Sequence, residues 1–444
     1  MSFPTEFVWG AATAAYQIEG ATEVDGRGES IWDRFCRTPG KVANGDTGDL
    51  ACDHYHLWRD DLELMSTLGL RGYRFSIAWP RIQPDGRGPV NQKGIDFYRR
   101  LVEGLLEREI APLATLYHWD LPQRLQDDGG WASREVVDRY ADYARLVFDA
   151  LGDLVESWVT HNEPWVTSFL GYAQGVKAPG ISDWGSALAA AHHALLSHGR
   201  AVNAFREGGN QGEIGITLDL THVSGDPGAA RRLDGHRNRW FLDPVLRGGY
   251  PPDMIDLYER NVGPLDFIQP GDLDEMSAPI DFLGVNFYQP AVAQDSAGGG
   301  PLELEEVRAD GPRTAMGWTV EPTSLTTLLV RLRDDYGPVP LMITENGASF
   351  DDPPVDGHAV VEDPQRVAYL RDHIDAVERA VEAGVDVRGY YVWSLLDNFE
   401  WEHGYASRFG IVAVDFDDFR RIPKRSAIWY RDLIASQANG GGDG

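Results

Sequence analysis

Apolar runs rich in aromatic and β-branched residues recur eight times along the chain, at 7–18, 72–79, 112–118, 157–163, 212–220, 281–288, 340–345 and 388–395. Several are continuous where a half-exposed strand would alternate, the pattern of parallel strands buried on both faces. Between them, apolar positions recur at helical spacing over 55–68, 92–108, 134–151, 186–205, 325–336 and 363–383. Alternation of this kind builds right-handed βαβ units. Eight of them predict an α/β fold, a single (β/α)8 TIM barrel whose extended βα loops form the active-site pocket. A doubly wound sheet needs a phosphate-binding glycine turn after an early strand, and none is present.

A minimal barrel takes roughly 250 residues, whereas this chain has 444. The excess is expected at 221–279, 289–321 and 397–425. Each of these spans follows a strand and so lies on the face where barrel enzymes keep their sites. No repeat or linker divides the chain. Residues 1–435 therefore read as one catalytic barrel domain, and 436–444, which ends glycine-rich, as a flexible C-terminal tail.

Composition narrows the partners. Acidic residues number 69 against 40 basic ones, giving a net charge of −29, and lysine occurs only at Lys41, Lys93, Lys177 and Lys424. Such a field repels polyanions, which argues against nucleic acid and heavily phosphorylated substrates. No apolar stretch approaches the ~20 residues of a membrane helix. Residues 1–10 show no basic leader followed by an apolar core, so the simplest reading is a cytoplasmic protein without a membrane partner. Cys36 and Cys52 fit neither a metal knuckle nor a disulfide framework and read as free thiols. The pairs His54/His56 and His192/His193 lack a third ligand at local spacing, so neither metal nor cofactor is expected.

Polar residues stand at the C-terminal ends of nearly all the runs: Gln17, Arg74, His118, Asn162 with Glu163, Asn286, Glu345, and Trp393 followed by Asp397. Barrel closure brings these ends to one pocket although long stretches of chain separate them. Two are glutamates, in Thr160-His161-Asn162-Glu163-Pro164 and Ile343-Thr344-Glu345-Asn346-Gly347. Cleaving a glycosidic bond takes one carboxylic acid to protonate the leaving oxygen and one carboxylate to meet the charge growing at the anomeric carbon. A lone strand-end glutamate serves equally well as a helix cap or ion-pair partner. Two that converge point to chemistry.

These motifs, with Phe7-Val8-Trp9-Gly10 through Glu19-Gly20, Arg74-Phe75-Ser76-Ile77-Ala78-Trp79-Pro80-Arg81, Tyr117-His118-Trp119-Asp120-Leu121-Pro122 and Trp393 through Trp401, resemble those of glycoside hydrolase family 1, the β-glucosidase family. The resemblance spans nearly the whole chain, to about Tyr430. It implies a retaining double displacement with Glu163 as acid/base and Glu345 as nucleophile, whose carboxyl groups should stand roughly 5 to 5.5 Å apart. It implies Arg74 as support beside the nucleophile and Tyr288 as its hydrogen-bond partner. Gln17, His118, Asn162 and Glu400 would bind sugar hydroxyls, Trp393 would form the platform, and Trp119 and Trp401 would meet the glycone. Asn286 and Trp318 complete the implied substrate-binding set, and Trp165, Leu170 and Trp318 resemble positions lining the outer subsite. By the same resemblance Glu400 excludes a 6-phosphate, and the presence of Glu163 marks an O-glycosidase.

The implied substrate is a small β-glucoside or cello-oligosaccharide, cut at its terminal non-reducing β-D-glucosyl residue, as in cellulose degradation. The aglycone stays open, as does glucose against galactose or fucose. Two other readings use the same residues: a transglycosylase sharing the covalent intermediate, and a non-catalytic sugar-binding barrel. His161 and Lys177 depart from the family pattern. His161 reads as a satisfied interior histidine and Lys177 as a change confined to a loop, while Glu19, Asp120 and Asp397 read as structural partners.

Overall fold

The computed structural model describes residues 3–355, 357 and 359–440. Eight parallel strands form a closed barrel: β1 (Val8–Ala12), β2 (Gly72–Ser76), β3 (Ala111–Tyr117), β4 (Ser157–Asn162), β5 (Glu213–Asp219), β6 (Phe282–Asn286), β7 (Leu341–Asn346) and β8 (Val387–Trp393). They pair in sequence order, and β1 closes the ring between β8, with Val8 opposite Gly389, and β2, with Gly10 opposite Gly72. Seven strands fall where the apolar runs predict them. The first run splits: β1 ends at Ala12, and Ala15–Ile18 form a helical turn. The alanine-rich stretch favours that turn, and the Ala15 backbone N–H is fixed to Ser76 Oγ at 2.7 Å.

The predicted helices are present as His54–Thr67, Gln92–Leu106, Glu135–Leu151, Trp184–Glu207, Pro322–Tyr336 and Pro364–Glu382. Each turns a buried apolar face to the barrel. Asp183 caps the fourth of them by accepting from the Ser186 N–H at 2.7 Å. Of the three extra spans, 221–279 carries the helices Pro227–Asp234, Trp240–Arg247 and Pro252–Asn261. The second supplies two strands of a small sheet, Ala291–Asp295 and Leu304–Val307, joined by Val223–Gly225, and the third supplies the hairpin Val412–Val414 with Arg421–Pro423.

The last helix, Arg425–Gly440, runs further than the sequence suggests. Residues 436–440, expected as the start of a tail, continue it because no helix breaker intervenes before Gly440, and 441–444 lie outside the described residues. Tyr430 ties this helix to the barrel by donating to the carbonyls of Gly10 at 3.0 Å and Tyr390 at 3.2 Å. A buried charge network secures the same side: Arg366 binds Asp363 at 2.6 Å and Asp352 at 3.0 Å, and Lys424 binds Asp352 at 2.5 Å and Asp397 at 2.7 Å. Cys36 and Cys52 are buried and unpaired. Among the described residues, no helix is long and apolar enough to cross a membrane.

Candidate active site

The sheet loses its regular register where the strands leave the barrel. Slips fall between Val159 and Asn162 on β4, between Ile343 and Glu345 against β6, and between Ile343 and Asn346 against β8. Irregularities of this kind re-aim side chains. Glu163, just past β4, takes a left-handed backbone with φ 50°, as do Trp119 with φ 78° and Trp401 with φ 50°. Such conformations cost of order 1–3 kcal/mol per non-glycine residue, and all three residues line one cavity. Gly347 serves the same geometry, since a Cβ there would lie 1.7 Å from the Trp393 carbonyl oxygen. Only glycine lets the exit of β7 pass so close to the end of β8.

The cavity opens at the C-terminal face of the barrel and measures about 320 Å³. Glu163 and Glu345 both line it and are both buried. Glu345 Oε1 accepts from Arg74 Nη1 at 2.5 Å and its Oε2 from the Tyr288 hydroxyl at 2.6 Å. Arg74 uses its other donors on Asn162 Oδ1 at 2.6 Å, Thr115 Oγ1 at 3.2 Å and the Thr344 carbonyl at 3.2 Å. Glu163 Oε1 accepts from Asn286 Nδ2 at 2.5 Å, and the same amide reaches Asn162 Oδ1 at 3.1 Å. Arg74, Asn162 and Asn286 thus form one hydrogen-bonded chain between the two carboxyls.

Their proton affinities are driven apart. Burial, reinforced by the negative charges of Glu345 and Asp219, pushes Glu163 well above the usual carboxylate range. Burial also raises Glu345, but the Arg74 charge and the hydrogen bonds from Tyr288 and Arg74 pull it back. Glu163 is thus raised further than Glu345, the ordering an acid and a nucleophile require.

At one end of the cavity, loops after β3 and β8 bring aromatic rings together: Trp119 and Trp401 at 4.6 Å, His118 and Trp393 at 5.8 Å. Asn162 Nδ2 donates to His118 Nε2 at 3.0 Å, and burial keeps that imidazole neutral. Burial pushes Glu400 up to about 8, so near neutrality its carboxyl carries a proton and can donate as well as accept. Gln17 lies behind the cavity wall, where its Nε2 holds the Phe399 carbonyl at 2.9 Å, Asn398 Oδ1 at 3.0 Å and Glu400 Oε2 at 3.4 Å. Trp165, Asp219, Arg237, Tyr288 and Trp318, from the end of β5 and the loops after β4, β5 and β6, line the same cavity.

Of the residues singled out in the sequence, Glu163, Glu345, His118, Trp119, Asn286, Tyr288, Trp318, Trp393, Glu400 and Trp401 line the cavity. Arg74, Asn162 and Gln17 are buried and hydrogen-bond to residues that line it, Glu345, His118 and Glu400 respectively. Lys177 does more than alter a loop: its ammonium lines the cavity, pairs with Glu402 at 2.6 Å and lies over the Trp119 ring, 5.3 Å from its centre. Asp219 and Arg237 were not singled out. Asp219 is the last residue of β5 and the last but one of the fifth apolar run, so the strand-end rule that picks out the others reaches it as well; Arg237, far into the following insertion, carries no such signal.

The interior readings are met in part: His161 Nδ1 and both carboxyl oxygens of Asp120 have no hydrogen-bond partner among the described residues. His161 is buried with Nε2 2.8 Å from Ser197 Oγ, and Glu19 binds Arg81 at 2.9 Å and Tyr98 at 2.6 Å. His54 pairs with Asp61 at 2.7 Å and His192 with Asp272 at 2.8 Å. Among the described residues, no group of three or more histidine, cysteine or acidic side chains is placed to hold a metal.

A sequence model described as glycosyl hydrolase family 1 matches residues 1–439. Thermostable beta-glucosidase B of Thermobispora bispora is 51% identical over 444 residues, covering 98% of this chain and 91% of that protein. Beta-glucosidase A of Acetivibrio thermocellus is 47% identical over 442 residues and 98% of both chains. The crystal structure of a beta-glucosidase from Exiguobacterium antarcticum superimposes with a TM-score of 0.96 at 46% identity, covering 99% of each chain.

Proposed function

The chain belongs to glycosyl hydrolase family 1, and from that premise we propose a retaining β-glucosidase in which Glu163 is the acid/base and Glu345 the nucleophile. In the first step Glu163 gives its proton to the leaving oxygen while Glu345 attacks the anomeric carbon. The glycosidic C–O bond breaks and a glycosyl ester on Glu345 forms. With the Glu345 charge gone, the proton affinity of Glu163 falls, and it takes a proton from water as that water attacks the ester. Release of the sugar restores both groups, with anomeric configuration retained.

Glu400 and His118 face the glycone hydroxyls, with Trp393 as the flat apolar surface beneath the ring. Gln17 and Asn162 fix the orientation of Glu400 and His118 from behind. The substrate is a β-glucoside, from cello-oligosaccharides or from aryl and alkyl glucosides, that gives up its terminal glucosyl unit. The single observation that supports this reading is a pair of buried carboxyls in one cavity whose surroundings raise Glu163 further than Glu345.

The test is kinetic. Glu345→Gly should lose turnover almost completely, and azide should restore it with inverted product configuration. Glu163→Ala should spare the first step only for substrates with good leaving groups. Normal rates of both variants on an alkyl glucoside would exclude the assignment.

A further inference from the structure

We propose that Asp219 and Arg237 form a hydroxyl-binding pair that makes the leaving-group subsite selective for a second sugar ring over a simple aryl or alkyl group, a statement that rests on the β-glucosidase reading above. The acid/base must stand at the leaving oxygen. With the glycone held among Trp393, Glu400 and Trp401, the leaving group extends past Glu163 toward the loops after β4, β5 and β6. Asp219 is there because β5 lies beside β4: the Glu163 N–H donates to the Thr217 carbonyl at 2.9 Å, two residues before Asp219. Arg237 arrives from the insertion after β5, and its guanidinium lies over the Trp165 ring, 3.8 Å from the centre.

Both groups face the cavity with hydrogen-bonding capacity unspent. Their mutual contact, Arg237 Nη2 to Asp219 Oδ2, is long at 3.4 Å. Among the described residues it is the only hydrogen bond either side chain makes to another side chain. A guanidinium has five N–H donors and a carboxylate several acceptor positions, so most of this capacity is left for a ligand. Vicinal hydroxyls of a sugar supply what is missing, accepting from the guanidinium and donating to the carboxyl. An aryl or alkyl group supplies neither and leaves the guanidinium and the carboxyl short of partners, a difference that polar sites convert into strong discrimination. Trp165, beneath Arg237, and Trp318, which lines the same cavity, give the apolar surface that the C–H face of a second ring needs.

The experiment compares kcat/KM, which reports the first step, for cellobiose and for phenyl β-D-glucoside. In Arg237→Met, whose side chain still covers Trp165, the cellobiose-to-phenyl ratio should fall by about tenfold or more, the size of one lost hydrogen bond to a charged group. Arg237→Lys keeps the charge without the planar fork and should lower the same ratio, so the test survives if the methionine variant does not fold. A ratio unchanged in a folded variant overturns the inference. An unsubstituted protein that cleaves neither substrate overturns the β-glucosidase reading itself, which is a separate outcome.

Discussion

Replacing Arg74 by methionine isolates the charge that holds the candidate nucleophile ionised. The arginine is 1% exposed and its Nη1 is 2.5 Å from Glu345 Oε1. Methionine fills much of the same space but removes the cation. A cation at this distance lowers a carboxyl pKa by about 1–3 units, so its loss should raise that of Glu345 by the same amount, or about 1.4–4 kcal/mol. Glu345 must be ionised to attack, so the acidic limb of the kcat/KM profile on an aryl β-glucoside should move up by about one to three pH units. Stability follows the same sign. Glu345 already lies above its ordinary value in the folded protein, so its contribution is complete below its unfolded pKa and is lost as pH rises from there through its folded pKa. The variant raises that pKa further, so its melting deficit should be small in acid and grow toward alkaline pH. An acidic limb that stays in place while the rate falls would refute the electrostatic reasoning and leave Arg74 only a packing role.

Asp219→Asn removes one of the negative charges that raise Glu163. Glu163 must be protonated in the first step, so the basic limb of kcat/KM should shift to lower pH by up to about one unit, readable in the same titration of rate. Lys424→Met leaves Asp352 and Asp397 without their buried ammonium, and chemical denaturation should register a loss of about 3–5 kcal/mol.

The barrel is legible because each strand is buried on both faces and so leaves an uninterrupted apolar run, which is why seven of the eight are placed within a few residues. The first run misleads for a local reason: Ala14 and Ala15 keep the apolar pattern going while the chain turns into a helix that carries Gln17 behind Glu400. Glu163 and Glu345 are legible because function needs carboxyls at strand ends. The hydrogen-bonded chain from Arg74 through Asn162 to Asn286 is not, because it depends on which strand ends meet across the barrel. Arg237 is invisible in sequence since its place is set by the fold of the insertion after β5, not by any strand. Lys177 is misread for the same reason, its partner Glu402 being remote in sequence but adjacent across the mouth.

Trp119, Glu163 and Trp401 sit in three different loops, and each holds a left-handed backbone it would abandon if free. A conformation of that kind persists only while the surrounding framework insists on it. Warming that slackens those loops lets the three residues relax before the barrel itself comes apart, so catalytic competence should fade at temperatures where the protein still registers as folded.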